Sequence, residues 1–91
     1  MPNNLPNDPR DLKVIEGIGP KTEEILKEHG ISNWIELSKT DVEHLRAILR
    51  SKGAPFSILD PTTWPEQARL AANAEWERLK QYQDYLIGGR G

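Results

Sequence analysis

Glycine and proline divide this chain into short segments, and their spacing limits it to short helices joined by tight turns. Gly17 and Gly19 stand one residue apart and are followed directly by Pro20, while Gly30 and Gly53 mark later breaks. Proline is tolerated in the first turn of a helix, and glycine suits the residue just past its end. The sequence therefore predicts an all-α fold, a compact bundle of five to six short helices.

The first two predicted helices flank the segment "EGIG". Asp8 and Pro9 supply a cap and a first-turn proline for a short helix over about 9–15. Pro20 begins the second helix in the same way, and Gly30 provides its left-handed stop. Two short helices around a glycine turn are therefore expected at the N-terminal end.

The next two helices are predicted from caps and apolar spacing. Ser32 is the expected cap of a third helix through "NWIELSK", which buries Trp34 and Leu37 on one face. "TDVE" has the form of a capping box, so Thr40 is expected to open a fourth helix that ends at Gly53. The apolar stripe of that helix consists of Val42, Leu45, Ile48 and Leu49.

The C-terminal third begins with "APFSILDP", which is interpreted as an extended connector pinned to the core by Phe56 and Ile58. Thr63 then caps another helix, with Pro65 in its first turn and Glu66 as the reciprocal partner of the cap. Asn73 tolerates left-handed geometry, so a bend is expected there. The last helix presents one face to the core, composed of Trp76, Leu79, Gln83 and Leu86, with Tyr82 beside it.

The 91 residues suffice for one domain and are too few for two. We expect a flexible lead-in over 1–8, a single helical domain over 9–87 and a frayed tail over 88–91. Within the domain, the first two helices with their glycine turn and the helices after them occupy 9–53, the connector 54–62 and the C-terminal helices 63–87.

Charge and cysteine content exclude several classes of protein. The chain has no cysteine, so neither disulfides nor thiolate metal sites can stabilise it. No apolar run is long enough to span a bilayer, and the N-terminus lacks the apolar core of a signal peptide, so a cytoplasmic protein is expected. A net charge of −2 argues against a dedicated high-affinity nucleic-acid binder.

The stretch "GIGPK" nevertheless has the chemistry of an anion site. Gly17 and Gly19 permit positive φ, and Ile18 between them is expected to point inward. The amides of Gly19, Lys21 and Thr22 lie at a helix N-terminus, where they have no intrahelical partners. The side chain of Lys21 adds a positive charge, and the hydroxyl of Thr22 is a further donor.

These residues resemble the helix-hairpin-helix family, in which two short helices flank a Gly-hydrophobic-Gly turn. The resemblance implies a SAM-like unit whose hairpin amides bind a DNA phosphate without reading bases. It implies that Gly17, Ile18, Gly19, Lys21 and Thr22 form this contact. It also implies a monovalent cation at the hairpin carbonyls, and no other cofactor is expected. Over about residues 10 to 90 the chain also resembles a group of small bacterial domains predicted to be flap-endonuclease-like DNA-binding modules.

Two features of the hairpin differ from that pattern. The family commonly has alanine three residues after the proline, where this chain has Glu23, which a slightly rotated helix would turn to solvent. Residues 10–30 also contain one more carboxylate than cations, and Glu16 and Glu23 lie where a phosphate would approach.

A second candidate patch lies on the fourth helix and consists of Arg46, Arg50 and Lys52, with Lys39 and His44 as further candidates. It either grips a neighbouring phosphate or only complements the dipole of the helix C-terminus, and we favour the second interpretation.

No catalytic constellation is recognisable, so an enzyme is not expected. Asp8, Asp11, Asp41, Asp60 and Asp84 are scattered singly, whereas metal-dependent nucleases need converging carboxylates. His29 and His44 have no partners for a triad or a zinc site. No catalytic or metal-binding residue is therefore predicted.

The three tryptophans are interpreted structurally. Trp34 and Trp76 match the spacing of apolar helix faces, which favours core anchors over base-stacking platforms. Trp64 either staples the entry of its helix or belongs to a partner-binding patch.

Two functions remain. The first is a small non-catalytic module that binds the DNA phosphate backbone weakly and without sequence specificity. The second is a protein-interaction or structural module that docks on a larger assembly. The identity of a protein partner, the type of nucleic acid and the oligomeric state stay open.

Overall fold

The computed structural model describes residues 8–88, and this part of the chain is helical throughout, without a β-strand. Its five α-helices are α1 (Pro20–Glu28), α2 (Trp34–Ser38), α3 (Val42–Lys52), α4 (Trp64–Ala72) and α5 (Trp76–Gly88). Two 3-10 turns precede α1 and α4, at Leu12–Val14 and Phe56–Ile58. The predicted all-α bundle is therefore confirmed. The predicted lead-in lies almost entirely outside the described residues.

Helix ends that depend on glycine or proline lie where the sequence predicts them. Pro20 is the first residue of α1, and Gly30, just past its C-cap, has φ +84°. Gly53 caps α3 with φ +74°. A residue with a side chain is strained in this left-handed region, so glycine gives both helices a sharp end.

The predicted helix over 9–15 is wrong, because only a 3-10 turn forms there. Its cap is Asp11, whose side chain accepts a hydrogen bond from the amide of Lys13. Asp8 instead closes a turn, since its carboxylate accepts the amide of Arg10 and its carbonyl accepts the amide of Asp11. These turns use up the residues available before the hairpin, so no regular helix fits.

Two predicted caps are displaced by one residue. Asn33, rather than Ser32, caps α2 and accepts the amide of Glu36 at 2.8 Å. Ser32 donates both its amide and its hydroxyl to the carboxylate of Glu36. Asp41, rather than Thr40, occupies the cap position of α3, while the hydroxyl of Thr40 donates to the carbonyl of Glu36 at the end of α2.

The connector and the C-terminal bend also differ from expectation. The segment predicted to be extended forms a 3-10 turn, in which Phe56 packs on the core and Ile58 is 79% exposed. Thr63 precedes α4 but makes no capping hydrogen bond through its side chain. The left-handed residue after α4 is Ala74 (φ +57°) rather than Asn73.

The core lies between the hairpin, α2, α3, α4 and one side of α5, and the principal helix contact is that of α2 with α4. Trp34 and Trp76 meet edge to face with ring centroids 5.2 Å apart, which confirms them as core anchors. Trp64 is 1% exposed, so its ring is part of the core, which favours the interpretation that it packs at the entry of its helix. Gly88 is part of α5, and the rest of the predicted tail lies outside the described residues. Within residues 8–88, no helix is long and apolar enough to cross a membrane.

Candidate functional site

The hairpin turn connects the first 3-10 turn to α1. The amide of Ile18 donates to the carbonyl of Ile15 at 3.1 Å, and Gly17 between them has φ +107°. Ile18 is 5% exposed, which confirms that it points inward. Gly19 is the N-cap of α1, and its carbonyl accepts the amide of Glu23 at 2.9 Å. The turn therefore has the shape expected of a helix-hairpin-helix.

The donors at the start of α1 are available. Among the described residues, the amides of Lys21 and Thr22 make no hydrogen bond within the protein, and the exposed side chain of Lys21 has no carboxylate within ion-pair distance. Thr22 as a whole residue is only 5% exposed, whereas Lys21 is exposed. The start of α1 therefore has two amides without internal partners and one ammonium group.

Glu23 points back across the hairpin, so the expectation that it faces solvent is wrong. Its Oε2 accepts the amide of Leu12 at 2.8 Å, and its side chain is 14% exposed. Lys13 and Lys27 each approach this carboxylate at 3.5 Å. The acidic side chain thus bridges the two arms of the hairpin, where helix-hairpin-helix sequences commonly have alanine, and it forms ion pairs with two neighbouring cations.

A buried glutamine on α4 holds the other side of the hairpin. Gln67 is fully buried, and its Oε1 accepts the amide of Glu16 at 2.7 Å. Its Nε2 donates to the carbonyl of Glu16 at 3.2 Å and to the hydroxyl of Thr63 at 3.1 Å. Gln83 of α5 donates to Gln67 at 2.8 Å and to the carbonyl of Val14 at 2.9 Å. We call this pair the glutamine clamp.

Sequence reasoning missed the clamp, because its partners in the hairpin lie far away along the chain. The signal in the sequence is a glutamine among apolar residues of α4, four residues after Thr63, and a second glutamine on the core face of α5.

The glutamine clamp occupies two of the carbonyls near the site of the monovalent cation that the resemblance implies. The carbonyls of Val14 and Glu16, at the hairpin, already accept hydrogen bonds from the clamp. A cation at these oxygens would have to share them with the clamp amides. The cation stays an expectation from the resemblance.

A groove runs beside the hairpin turn, with a volume of about 300 Å³. We call it the hairpin groove, and it is lined by Glu16, Gly17, Ile58, Leu59, Asp60, Thr63 and Trp64. Within this lining, Gly17 faces the indole of Trp64. A methyl group on Gly17 would lie 2.8 Å from the indole Nε1. Only glycine fits this position without displacing the indole.

The second candidate patch is divided. Lys52 lies 3.3 Å from Glu28, at the opposite end of α1 from Lys21. Arg46 approaches Glu43 at 3.7 Å and Asp60 at 4.0 Å. Arg50 has no carboxylate partner among the described residues, and neither does Lys39. Two of the three patch cations are therefore already paired, and Lys52 points away from the hairpin turn.

A second depression, of about 430 Å³, separates α4 from α5, and its cations are also paired. Arg69 forms a two-pronged contact with Glu66, and the side-chain hydrogen bond from Arg69 lowers the pKa of Glu66. The side-chain hydrogen bond from Arg78 lowers the pKa of Glu75. No free charge remains there to recognise an anion.

Histidines and carboxylates are the candidate metal ligands of the sequence. Residues 8–88 contain no group of three or more histidines and carboxylates that could hold a metal ion. The Nδ1 of His29 lies 2.9 Å from the carbonyl of Ile25, one turn earlier in α1.

Comparison with known protein families assigns this architecture. The profile of the RS2/RL21/YNQ2 HHH domain, where HHH denotes helix-hairpin-helix, matches residues 12–72. The chain belongs to this RS2/RL21/YNQ2 helix-hairpin-helix domain family. The matched segment begins at the first 3-10 turn and ends with α4, so it contains the hairpin and Gln67. Helix α5, including Gln83, lies beyond the family domain.

A curated relative shares part of this sequence. The chain is 35% identical over 65 residues to the large ribosomal subunit protein bL21 of Chelativorans sp. (strain BNC1). The aligned segment covers 71% of this chain and 29% of the relative, so the chain spans less than a third of that protein's length. No solved structure matches the chain.

Proposed function

We propose that this protein is a non-catalytic module that docks on a larger assembly through a protein-binding surface, and that the assembly is the large ribosomal subunit. The observation that carries the proposal is the family domain over residues 12–72, together with the relative that is a large ribosomal subunit protein. The proposal places the module in the cytoplasm.

The charge distribution supports docking on protein. Most cations of the described chain lie within 4.0 Å of a carboxylate, and Lys13, Lys27, Arg46 and Lys52 are all engaged in this way. Binding to nucleic acid requires cations that can replace the counterions of phosphates. A surface of paired charges favours a protein partner, whose recognition depends less on net charge.

The test is co-sedimentation of the purified full chain with purified bacterial large ribosomal subunits. We expect saturable binding of the chain to the subunit. Isolated ribosomal RNA at the same concentration is the control and should bind far less. Absence of saturable binding to the subunit would refute the proposal.

A second function is contact of the hairpin with a nucleic-acid phosphate, through Gly17, Ile18, Gly19, Lys21 and Thr22. The observation that favours it is the free end of α1, with its unpartnered amides and unpaired Lys21. Such an end attracts anions through its dipole. The carboxylates of Glu16 and Glu23 lie where a phosphate would approach, and their negative charge makes the contact weak. Recognition is of the backbone alone, so DNA and RNA both qualify, and the resemblance to flap-endonuclease-like DNA-binding modules implies the same kind of contact.

An amide chemical-shift titration with short duplex DNA and RNA at low salt tests the second function. Shifts should be confined to 17–22, should reverse with added salt and should disappear in Lys21→Glu. Lys39→Glu is the matched control, because Lys39 is also exposed and unpaired but lies at the end of α2. Equal effects of the two substitutions would exclude a specific role for the hairpin.

A further inference from the structure

We propose that the hairpin groove binds an extended, basic segment of a partner polypeptide. The inference deepens the proposed docking function, on which it rests, by assigning the surface and the chemistry of the partner. Three features support it: an unused donor on the floor of the groove, a glycine that leaves this donor uncovered, and a rim that is both acidic and apolar.

The donor is the indole N–H of Trp64. In Trp34 the corresponding N–H donates to the carbonyl of Asp11 at 2.9 Å. The N–H of Trp64 has no acceptor among residues 8–88, although the residue is 99% buried. No fully buried polar side-chain atom in this region lacks a partner, so the N–H of Trp64 is not completely sealed from the surface. Since Trp64 lines the hairpin groove, an acceptor would reach this donor from the groove.

Gly17 keeps that donor uncovered. A methyl group at Gly17 would stand 2.8 Å from the indole nitrogen and would cover it. The positive φ of Gly17 also disfavours any other residue. The glycine of the hairpin thus has a second use, because it opens a path between the groove and a buried hydrogen-bond donor.

The rim selects the partner. Glu16 makes no ion pair among the described residues, and Asp60, which is paired with Arg46, adds a second carboxylate. Ile58 stands 79% exposed at the same groove. A backbone carbonyl would accept from Trp64, aliphatic groups would cover Ile58, and a lysine or arginine would pair with Glu16. The unpaired carboxylate of Glu16 would repel a phosphate, so the observations favour a polypeptide over a nucleic acid.

The first experiment observes the indole signals of isotope-labelled full chain during titration with an acetylated Lys-Leu-Lys-Leu-Lys peptide amide. The indole of Trp64 and the amides of Gly17 and Leu59 should shift, while the indole of Trp34 should not. The matched acidic peptide, with glutamate in place of lysine, and a short duplex RNA should leave Trp64 unchanged. Failure of the basic peptide at millimolar concentration, or equal shifts with the other probes, overturns the proposal. So do contacts between the Trp64 indole and residues 1–7 in the free protein.

Variants provide the second experiment. Trp64→Phe removes the donor and should weaken peptide binding about fivefold, the value of one neutral hydrogen bond. Glu16→Lys and Ile58→Ser should weaken it similarly without loss of helicity, because Ile58 is exposed and the half-buried side chain of Glu16 forms no ion pair with the described residues. Ile35→Ser, at an exposed isoleucine of α2, is the control and should bind like the original chain. Unchanged affinity in both surface variants would contradict the proposal.

Co-sedimentation with large ribosomal subunits separates this inference from the function on which it rests. Loss of subunit binding in Glu16→Lys and Ile58→Ser, but not in Ile35→Ser, supports both. Unimpaired binding of the groove variants refutes the groove and leaves the docking function intact. If the original chain binds the basic peptide but not the subunit, the docking target is wrong and the groove stands.

Discussion

The carboxylate of Glu23 accepts the backbone amide of Leu12 at 2.8 Å, across the hairpin and eleven residues back along the chain. This bond joins α1 to the 3-10 turn through a charged acceptor that is largely shielded from water. It gives the hairpin a connection that the alanine common in the family cannot make.

Glu23→Ala should lower the free energy of unfolding by about 1.5–3 kcal/mol, because it leaves a backbone amide without its charged acceptor. Urea denaturation followed by circular dichroism measures the change. Glu24→Ala is the matched control, since Glu24 is the exposed neighbour on the same helix, and it should change stability by less than about 0.5 kcal/mol. Equal effects of the two substitutions would show that the bridge contributes nothing.

Substitution in the glutamine clamp should destabilise the protein more than Glu23→Ala does. Gln67→Leu keeps the volume but removes the partners of both the amide and the carbonyl of Glu16, so stability should fall by about 2–4 kcal/mol. A double-mutant cycle with Gln83→Leu should reveal a coupling of about 0.5–3 kcal/mol. Gln81→Leu, at an exposed position of α5, is the control for the substitution itself. Strict additivity of the two clamp substitutions would contradict the clamp as a unit.

Helix α5 lies beyond the family domain, yet it closes part of the core. Leu79 is 4% exposed, so Leu79→Ala should cost about 2–4 kcal/mol through lost burial and a cavity. Ile87→Ala removes an exposed aliphatic side chain from the same helix and should have little effect. Thermal or urea unfolding measures both. A small effect at Leu79 would mean that α5 is dispensable for the stability of the rest.

Ala74 has a left-handed backbone that favours glycine. Ala74→Gly should therefore stabilise the protein by about 1 kcal/mol, through relief of the unfavourable contact of Cβ with the carbonyl. Ala72→Gly, two residues earlier and still in α4, should destabilise it by about 0.5–1 kcal/mol. The two substitutions should therefore change the free energy of unfolding in opposite directions. A loss of stability in both variants would exclude relief of strain at residue 74.

The stability of the protein should depend on pH through the carboxylate of Glu36. The backbone amide of Ser32, followed by its hydroxyl, holds the pKa of Glu36 below its ordinary value of 4.5. The ionised form is thus favoured in the folded protein, and its stabilisation is present above pH 4.5 and lost as the pH falls through the lowered pKa.

Carboxyl-carbon NMR should show this midpoint directly. Ser32→Ala removes one of the two bonds and should move the midpoint of Glu36 upward, toward its ordinary value. Ser38→Ala is the control, because the hydroxyl of Ser38 donates to a carbonyl of α2 and touches no carboxylate. A midpoint that is unaffected by Ser32→Ala would exclude the hydroxyl as a cause.

Local chemistry explains which parts of this fold can be predicted from the sequence. Pro20, Gly30 and Gly53 act through their own backbone preferences, so the limits of α1 and the end of α3 follow from the residues themselves. The N-cap residues are harder to predict. "GISN" and "KTD" each contain two adjacent residues that could cap a helix, and tertiary contacts decide between them. Ser32 and Thr40 both turn toward Glu36, which leaves the cap positions to Asn33 and Asp41.

The candidate site divides in the same way. The inward position of Ile18 and the free end of α1 follow from the pattern Gly-Ile-Gly-Pro. The orientation of Glu23, the glutamine clamp and the groove beside Trp64 depend on residues that are distant in sequence, and no periodicity reveals them. Gln67, for instance, meets Glu16 across a separation of 51 residues.

The bond from Gln83 to Val14 spans nearly the whole domain, and it has a consequence for the order of events during synthesis. A growing chain exposes the hairpin first, but the carbonyl of Val14 receives its partner only after the last helix has left the translating machinery. Until then the carbonyl of Val14 must accept its hydrogen bond from water. The hairpin therefore reaches its final geometry only after α5 has been synthesised and has packed against it.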